Sequence, residues 1–176
     1  MTRPTYTLDH VCLAVRKIEP ARAMLERTFG YVPRTDPVVN TRQQVTVQFM
    51  SKPGSIDIKL IEPSSMTSPL VEFIKRSGGG LHHLAFRTES VERGVADLEE
   101  AGARTIGPPA PGEAFDDSLI AFVFAGAGLN VEIIETSSNA RSAEFAAKTR
   151  HSAALGGALA AQRYGLDVLE ADIQDN

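Results

Sequence analysis

The sequence predicts an α+β protein that contains the same βαβββ unit twice, followed by a helical extension. The segment "LDHVCLAV" from Leu8 aligns with "LHHLAFRT" from Leu81, which places His10 over His83. The segment "IDIKLIEP" from Ile56 aligns with "LNVEIIET" from Leu129, which places Lys59 over Glu132. The 49 positions from His10 to Lys59 equal the 49 from His83 to Glu132, so both alignments share one register. Such self-similarity at a fixed offset indicates an internal repeat.

Each unit begins with a strand, and a helical pattern follows it. Apolar residues recur at helical spacing after the first strand, and the same periodicity starts at Val91 in the second unit, with Ser90 as its N-cap. The segments "QQVTVQFM" and "SLIAFVFA" then read as strands. A glycine-containing turn separates each of them from the closing strand of its unit.

These patterns divide the chain into four segments. We expect a first βαβββ module over residues 5–66 and a linking helix over 67–80, with Ser68 as its cap and Pro69 in its first turn. A second βαβββ module follows over 81–136. Residues 137–176 are rich in alanine and are expected to form a helical extension with a disordered end.

Composition excludes several classes of function. The net charge of −4 over 176 residues, without blocks of Lys or Arg, argues against a nucleic-acid partner. No apolar run approaches the ~20 residues of a membrane helix, and the N-terminus lacks a signal-peptide layout, so we expect a cytoplasmic protein. The single cysteine, Cys12, excludes an internal disulfide and predicts no cysteine-based zinc site. Any metal would therefore need imidazole and carboxylate ligands.

The repeated units, with a histidine in the first strand of each, resemble the vicinal oxygen chelate superfamily. Within it, "LDHVCLAV", "EPSSMTSPLVEFIKRSGGGLHHLAF" and "VEIIE" are similar to the methylmalonyl-CoA epimerase family, over roughly residues 7–136. The resemblance implies a cup-shaped, incompletely closed sheet of eight strands, mixed in direction. It also implies a divalent metal (Co, Mn, Ni, Zn or Fe) on His10, His83 and Glu132, a small-molecule substrate and a homodimer. The alternative for the histidines is a structural role in a half-buried sheet.

Two residues depart from the family pattern. Lys59 stands where the family usually has a fourth ligand, Gln or Glu, and Val47 stands at the position of the epimerases' glutamate base. Three interpretations of Lys59 stay open. It is a solvated rim residue, or an ammonium that bridges Glu132 and neutral imidazoles in place of the metal, or a general base with a lowered pKa. In the second case no metal is needed.

The resemblance implies a metal-dependent epimerase or isomerase that stabilises an enolate of an acyl-CoA-like or 1,3-dicarbonyl compound. Lys59 or Glu132 is then the predicted catalytic base. We expect His82, Gln48 and Phe115 near the substrate. Strand alternation, however, turns His82 away from His83 and Gln48 away from Val47. The segment that contains Phe115 is also typical of a polar turn. One alternative function is a metal-free small-molecule binding or tailoring protein of the same superfamily. Another is an Fe(II) extradiol-type dioxygenase, which uses the same ligand triad.

Overall fold

The computed structural model describes residues 6–115, 118–136, 146–147, 153–154, 161 and 164–171. Two units repeat one order of elements. The first consists of β1 (Thr7–Ala14), α1 (Ile18–Phe29), β2 (Val32–Pro33), β3 (Val38–Asn40), β4 (Val45–Ser51) and β5 (Asp57–Pro63). After the linking helix α2 (Pro69–Ser77), the second consists of β6 (Gly80–Thr88), α3 (Val91–Glu100), β7 (Arg104–Thr105), β8 (Ala110–Pro111), a 3₁₀ turn (Glu113–Phe115), β9 (Leu119–Phe124) and β10 (Asn130–Glu135).

The ten strands of the described chain form one open, mixed sheet in the order β2-β4-β5-β1-β6-β10-β9-β7, with β3 paired to β4 and β8 paired to β9. Strands β1 and β5 run parallel, as do β6 and β10, while β1 and β6 pair antiparallel at the centre. This architecture confirms the predicted α+β class and the repeat. The boundaries of the predicted modules stay predictions, and most of the predicted extension over 137–176 lies outside the described residues.

The eight predicted strands appear as ten, because the second strand of each unit is interrupted and forms two short strands. Between β2 and β3 the chain contains Pro37, and between β7 and β8 it contains Pro108 and Pro109. Proline lacks the N–H that a sheet ladder needs, so it breaks such a strand. The pairing register shifts by two residues across both interruptions, with Val32 opposite Ser51 but Val38 opposite Val47 in the first unit.

The sheet is curved, and its two faces bury different cores. Leu25 of α1 packs with Leu60 on the convex face, and Val91 of α3 packs with Ile133 in the second unit. Alternation along β5 and β10 turns their remaining residues to the concave face, where two further apolar clusters lie. No helix in the described part of the chain is long and apolar enough to cross a membrane.

Glutamates at equivalent positions fix the two helices that cover the sheet. The carboxylate of Glu62 accepts from the backbone N–H of Ile18 at 2.6 Å, and that of Glu135 accepts from the N–H of Val91 at 3.2 Å. A carboxylate at a helix N-terminus satisfies a free donor and complements the helix dipole. Both glutamates end the strands that carry Lys59 and Glu132, so the covering helices also hold the register of those strands.

Glycines connect the linking helix to the second unit. Gly78 ends α2 with φ of 79°, a left-handed conformation that favours glycine. Gly79 has φ of 102°, and a Cβ there would lie 2.7 Å from the carbonyl oxygen of Ala14. This close approach brings β6 alongside β1, and with it the segment that contains the two adjacent histidines.

Candidate functional site

Four neighbouring strands each contribute one side chain to a buried centre on the concave face. Strands β5, β1, β6 and β10 carry Lys59, His10, His83 and Glu132, in the order in which the strands lie in the sheet. The outer two strands would lie about 14 Å apart in a flat sheet, at three spacings of 4.7–4.9 Å. The Lys59 ammonium nevertheless lies 3.2 Å from the Glu132 carboxylate. The curvature of the sheet therefore brings these residues together.

The centre is built around one oxygen, Oε2 of Glu132. Lys59 Nζ and His83 Nε2 each lie 3.2 Å from it and donate hydrogen bonds to it. His10 Nε2 lies 3.3 Å from the same oxygen without forming a hydrogen bond. The side chains of all four residues are at most 3% exposed. We call this group, consisting of His10, Lys59, His83 and Glu132, the buried centre.

The residue before each histidine orients its ring, and both of these residues lie at β-bulges. Asp9 Oδ2 accepts from His10 Nδ1 at 2.8 Å, and His82 Nδ1 lies 2.9 Å from His83 Nδ1. The β1–β6 register shifts between Leu8 and His10, and again where Leu13 opposes Leu81, so Asp9 and His82 are the extra residues. A bulge re-aims a side chain. The expectation that His82 points away from His83 was therefore wrong.

These contacts decide which ring nitrogens carry hydrogen. Asp9 is an acceptor, so His10 Nδ1 carries hydrogen towards it, and Arg87 holds the other oxygen of Asp9. Burial alone would raise the pKa of Asp9, but the hydrogen bonds from His10 and Arg87 lower it to about 2. His83 donates from Nε2 to the carboxylate, which leaves its Nδ1 to accept from His82. His10 is thus anchored through Nδ1 and His83 through Nε2.

The electrostatics of the centre favour a carboxylate at Glu132 beside a neutral imidazole at His83. Burial alone would raise the pKa of Glu132, but the Lys59 charge and the neighbouring imidazoles hold that pKa well below its usual value. Burial lowers the pKa of His83, and the Glu132 carboxylate offsets only part of this effect. Burial and the charges of His83 and Lys59 lower the pKa of His82 to about 4. Both rings of the His82–His83 pair are therefore neutral near pH 7.

Aromatic rings cover the buried centre on the inner side of the cup. The Phe115 ring is stacked on His10 with centroids 5.8 Å apart, and Lys59 Nζ lies 4.7 Å from its centroid. Phe49 meets the His10 ring edge to face at 5.3 Å. A cation over an aromatic face is attracted by the ring quadrupole. Phe115, predicted to border the substrate, thus contacts two residues of the centre directly.

A cavity of about 470 Å³ lies beside the buried centre and reaches His82 and His83. Its wall is mostly apolar and includes Ile61, Ile120 and Phe122. Such a volume with a few polar groups is typical of a small-molecule site. Contacts between the two units border it, since the Glu113 carboxylate accepts from the Thr41 N–H at 2.7 Å and Arg42 donates to the Pro111 carbonyl at 2.7 Å.

Two sets of side chains in the described chain have donor atoms close enough to hold a metal ion. The donors of His10, His83 and Glu132 lie within 4.8 Å of one another, as do those of Cys12, His82 and His83. The second set was not expected from the sequence, which predicted no cysteine-based site. Burial raises the pKa of the Cys12 thiol, so it is neutral and a weak ligand.

The first set has the right donors for a divalent cation, but Lys59 does not fit one. Two of its buried atoms, His10 Nε2 and Glu132 Oε1, have no hydrogen-bond partner, which suits a cation beside them. The ammonium nevertheless already contacts the oxygen that the metal would use. A divalent ion about 4 Å from that ammonium is opposed by about 8 kcal/mol at an effective dielectric constant of 20. Metal ligation by His10, His83 and Glu132 stays a prediction that this arrangement disfavours.

The structure does not bring Gln48 to the buried centre. Gln48 lies opposite Leu60, whereas Phe49 lies opposite Lys59, so Gln48 is on the other face of the sheet. Its amide donates to the carbonyl of Thr35 at 3.1 Å. Val47, at the position of the family's glutamate base, is buried in the apolar cluster of the concave face.

Sequence reasoning missed Asp9, Arg87 and Phe49. Asp9 directly precedes His10 and aligns with His82 at the repeat offset, a signal that could have identified both as orienting residues. Arg87 and Phe49 carry no such signal, because only the pairing of β6 with β1 and of β4 with β5 brings them to the centre.

Comparison with known proteins gives one family over most of the sheet. The profile of the Glyoxalase/Bleomycin resistance protein/Dioxygenase superfamily matches residues 9–122. A prephenate dehydratase profile matches residues 126–176, which is under a third of the chain and assigns no family by itself. The chain is 33% identical over 108 residues to an ethylmalonyl-CoA/methylmalonyl-CoA epimerase of Cereibacter sphaeroides, covering 59% of the chain and 77% of that protein. It is 31% identical over 100 residues to a mitochondrial methylmalonyl-CoA epimerase of Bos taurus, covering 56% of each.

Solved structures share the fold. A hypothetical protein from Bacillus halodurans superposes with a TM-score of 0.68 at 27% identity, covering 76% of this chain and 96% of that one. A methylmalonyl-CoA epimerase from Mycobacterium tuberculosis superposes with a TM-score of 0.65 at 26% identity, covering 74% and 87%.

Proposed function

Because the chain belongs to the glyoxalase/bleomycin resistance protein/dioxygenase superfamily, we propose that it is an epimerase or isomerase-type enzyme. Its substrate in this proposal is an acyl-CoA-like or 1,3-dicarbonyl compound, and its intermediate is an enolate. Family membership confirms the resemblance predicted from the sequence. The observation that carries the proposal is the Lys59–Glu132 pair, whose atoms lie 3.2 Å apart on the concave face beside the 470 Å³ cavity.

The buried centre contains the groups that proton transfer next to a carbonyl needs. A carbon between two carbonyls carries an acidic hydrogen, and in this proposal Glu132 is the carboxylate that accepts it. The electron pair then moves onto a carbonyl oxygen, where the Lys59 ammonium and the His83 N–H stabilise it. Fixed donors in a water-excluded site are worth about 3 kcal/mol each, and a positioned base adds roughly 10²–10⁴-fold in rate. The configuration inverts when the enolate turns its opposite face towards Glu132 before the protonated carboxyl returns the proton.

The cavity accounts for the substrate class in this proposal. Its mostly apolar wall suits a short acyl chain, and His82 lines the wall as a neutral imidazole. A 2-substituted malonyl thioester combines such a chain with two carbonyl groups, and the curated relative from Cereibacter sphaeroides is named for two compounds of this type. Phe115 covers Lys59 and His10, so the reacting carbon reaches them only when this ring moves aside.

A second candidate is a small-molecule binding protein without turnover. It is favoured by Val47, which places an apolar side chain at the position of the family's base, and by the cover that Phe115 forms over the centre. An Fe(II) dioxygenase is disfavoured, because its metal would contact the Lys59 ammonium. The predicted homodimer and cytoplasmic location stay predictions.

Deuterium exchange tests the proposal. Methylmalonyl-CoA is incubated with the protein in D₂O, and uptake at the carbon between the carbonyls is followed by mass spectrometry. We expect catalysed uptake that falls at least about 100-fold in Glu132→Gln and persists in Glu72→Gln, an exposed glutamate of α2. Saturable binding without exchange would support the second candidate, and neither binding nor exchange would refute this substrate.

A further inference from the structure

The buried centre contains its own cation at the position where the family pattern predicts a metal ligand. Lys59 and Glu132 occupy equivalent positions in the two units, so the repeat places an ammonium opposite a carboxylate. Both this ammonium and His83 Nε2 donate to Oε2 of Glu132 at 3.2 Å. The oxygen that a metal would share with the imidazoles is therefore already bonded to two hydrogen-bond donors.

The charges of the buried centre are balanced without any added ion. The ammonium of Lys59, 3.2 Å from the carboxylate of Glu132, offsets its charge. An added divalent cation would leave two uncompensated positive charges among side chains that are at most 3% exposed. An uncompensated buried charge is strongly unfavourable, because burial removes its hydration.

Lys59 cannot leave the centre as a surface lysine would. Its strand β5 is paired on both sides, to β1 and to β4. Its side chain is 2% exposed, and the Phe115 and Phe49 rings lie 4.7 Å and 5.8 Å from Nζ. A long flexible side chain normally reaches water with its charged end, and here no such path is open.

The hydrogen bonds of His83 also argue against a bound metal ion. His83 Nε2 donates to Glu132 at 3.2 Å, so a metal on this nitrogen would have to displace that hydrogen bond. His82 contacts Nδ1 from the other side of the ring and fills its remaining hydrogen-bond position. Both ring nitrogens of His83 are thus used within the protein.

We propose that the Lys59 ammonium replaces the divalent metal ion of this superfamily, so that the buried centre is metal-independent. This inference goes beyond the proposed function, since it concerns the resident cation and holds whether or not the chain turns over a substrate. In the proposed reaction, Lys59 then supplies the positive charge that stabilises the enolate oxygen.

Metal binding by substituted proteins tests this proposal without any activity assay. The full chain is treated with EDTA, dialysed against Co²⁺, and analysed by elemental mass spectrometry and by visible absorption. We expect wild-type protein to retain less than about 0.1 equivalent of Co²⁺, as should the control Lys75→Gln, which removes an exposed lysine. Lys59→Gln should bind about one equivalent of Co²⁺, since a neutral amide oxygen can ligate a metal and an ammonium cannot. The double substitution Lys59→Gln with Glu132→Gln should lose that metal.

Two results would overturn the proposal. One is about one equivalent of Co²⁺ on wild-type protein that disappears in Glu132→Gln, and the other is a folded Lys59→Gln variant that binds no more Co²⁺ than wild type. Circular dichroism checks the fold of each variant. If Lys59→Gln does not fold, the melting temperature of wild-type protein is measured with increasing Co²⁺. An increase that is absent in Glu132→Gln would contradict a metal-independent centre.

Discussion

Removal of one partner from the Lys59–Glu132 pair should destabilise the protein far more than removal of both. The atoms lie 3.2 Å apart, with side-chain exposures of 2% and 0%. Loss of one partner from a buried ion pair leaves the other charge uncompensated and costs about 3–5 kcal/mol, whereas an apolar replacement of both is often neutral or stabilising. We therefore expect Lys59→Met and Glu132→Met each to lose about 3–5 kcal/mol, and the double substitution to recover most of that loss.

Urea unfolding followed by circular dichroism at pH 7 measures this coupling as a double-mutant cycle. The exposed pair Lys75–Glu72, 2.7 Å apart with exposures of 63% and 65%, is a matched control with the same residue types. Its coupling energy should be small because water screens the exposed charges, against about 3 kcal/mol or more for the buried pair. Single losses below about 1 kcal/mol, with a coupling no larger than that of the control, would refute the reasoning.

Three further outcomes are expected. Asp9→Asn should lower the free energy of unfolding by about 2 kcal/mol at pH 7 and by roughly half as much at pH 3, because the carboxylate with a folded-state pKa of about 2 stabilises the fold above its unfolded pKa and loses this effect as the pH falls through 2. Urea unfolding at both pH values measures the two losses, and equal losses would contradict this expectation. Phe115→Ala should make the imidazoles of the buried centre reactive towards diethylpyrocarbonate, with the modified histidines identified by mass spectrometry. The control Phe29→Ala, which removes a ring that is 52% exposed, should leave them unreactive, and equal protection in both variants would show that Phe115 does not cover the centre. Gly79→Ala should lower the melting temperature more than Gly54→Ala, since both glycines have positive φ but only a Cβ at Gly79 would clash with a backbone atom, 2.7 Å away. Equal decreases would contradict the close approach of β6 to β1.

The repeat explains how much of the fold was predictable. The sequence alone predicted that His10 and His83, and likewise Lys59 and Glu132, occupy equivalent positions in the two units. Strand alternation and the constant offset between the repeats were sufficient for this, because each strand is a local pattern. The interruption of the second strand in each unit was missed, although Pro37 and the Pro108–Pro109 pair are visible in the sequence. Proline signals a break, but only the partner strand shows that pairing resumes with a shifted register.

The bulges explain why part of the site was not predictable. Period-two alternation turns His82 away from His83, and the structure instead bonds the two rings because one extra residue in β6 changes the direction of its side chain. A bulge depends on the register between strands far apart in the chain, which a single sequence does not encode locally. The same limit applies to Arg87, which reaches Asp9 only through the pairing of β6 with β1.

Anomalous diffraction from crystals grown with Co²⁺ tests the central claim most directly. We expect no anomalous peak among His10, His83 and Glu132, and electron density for Lys59 Nζ within hydrogen-bond distance of the Glu132 carboxylate, as in the 3.2 Å contact described above. A cobalt peak at about 2.1 Å from both imidazoles, with the Lys59 side chain displaced, would contradict the account.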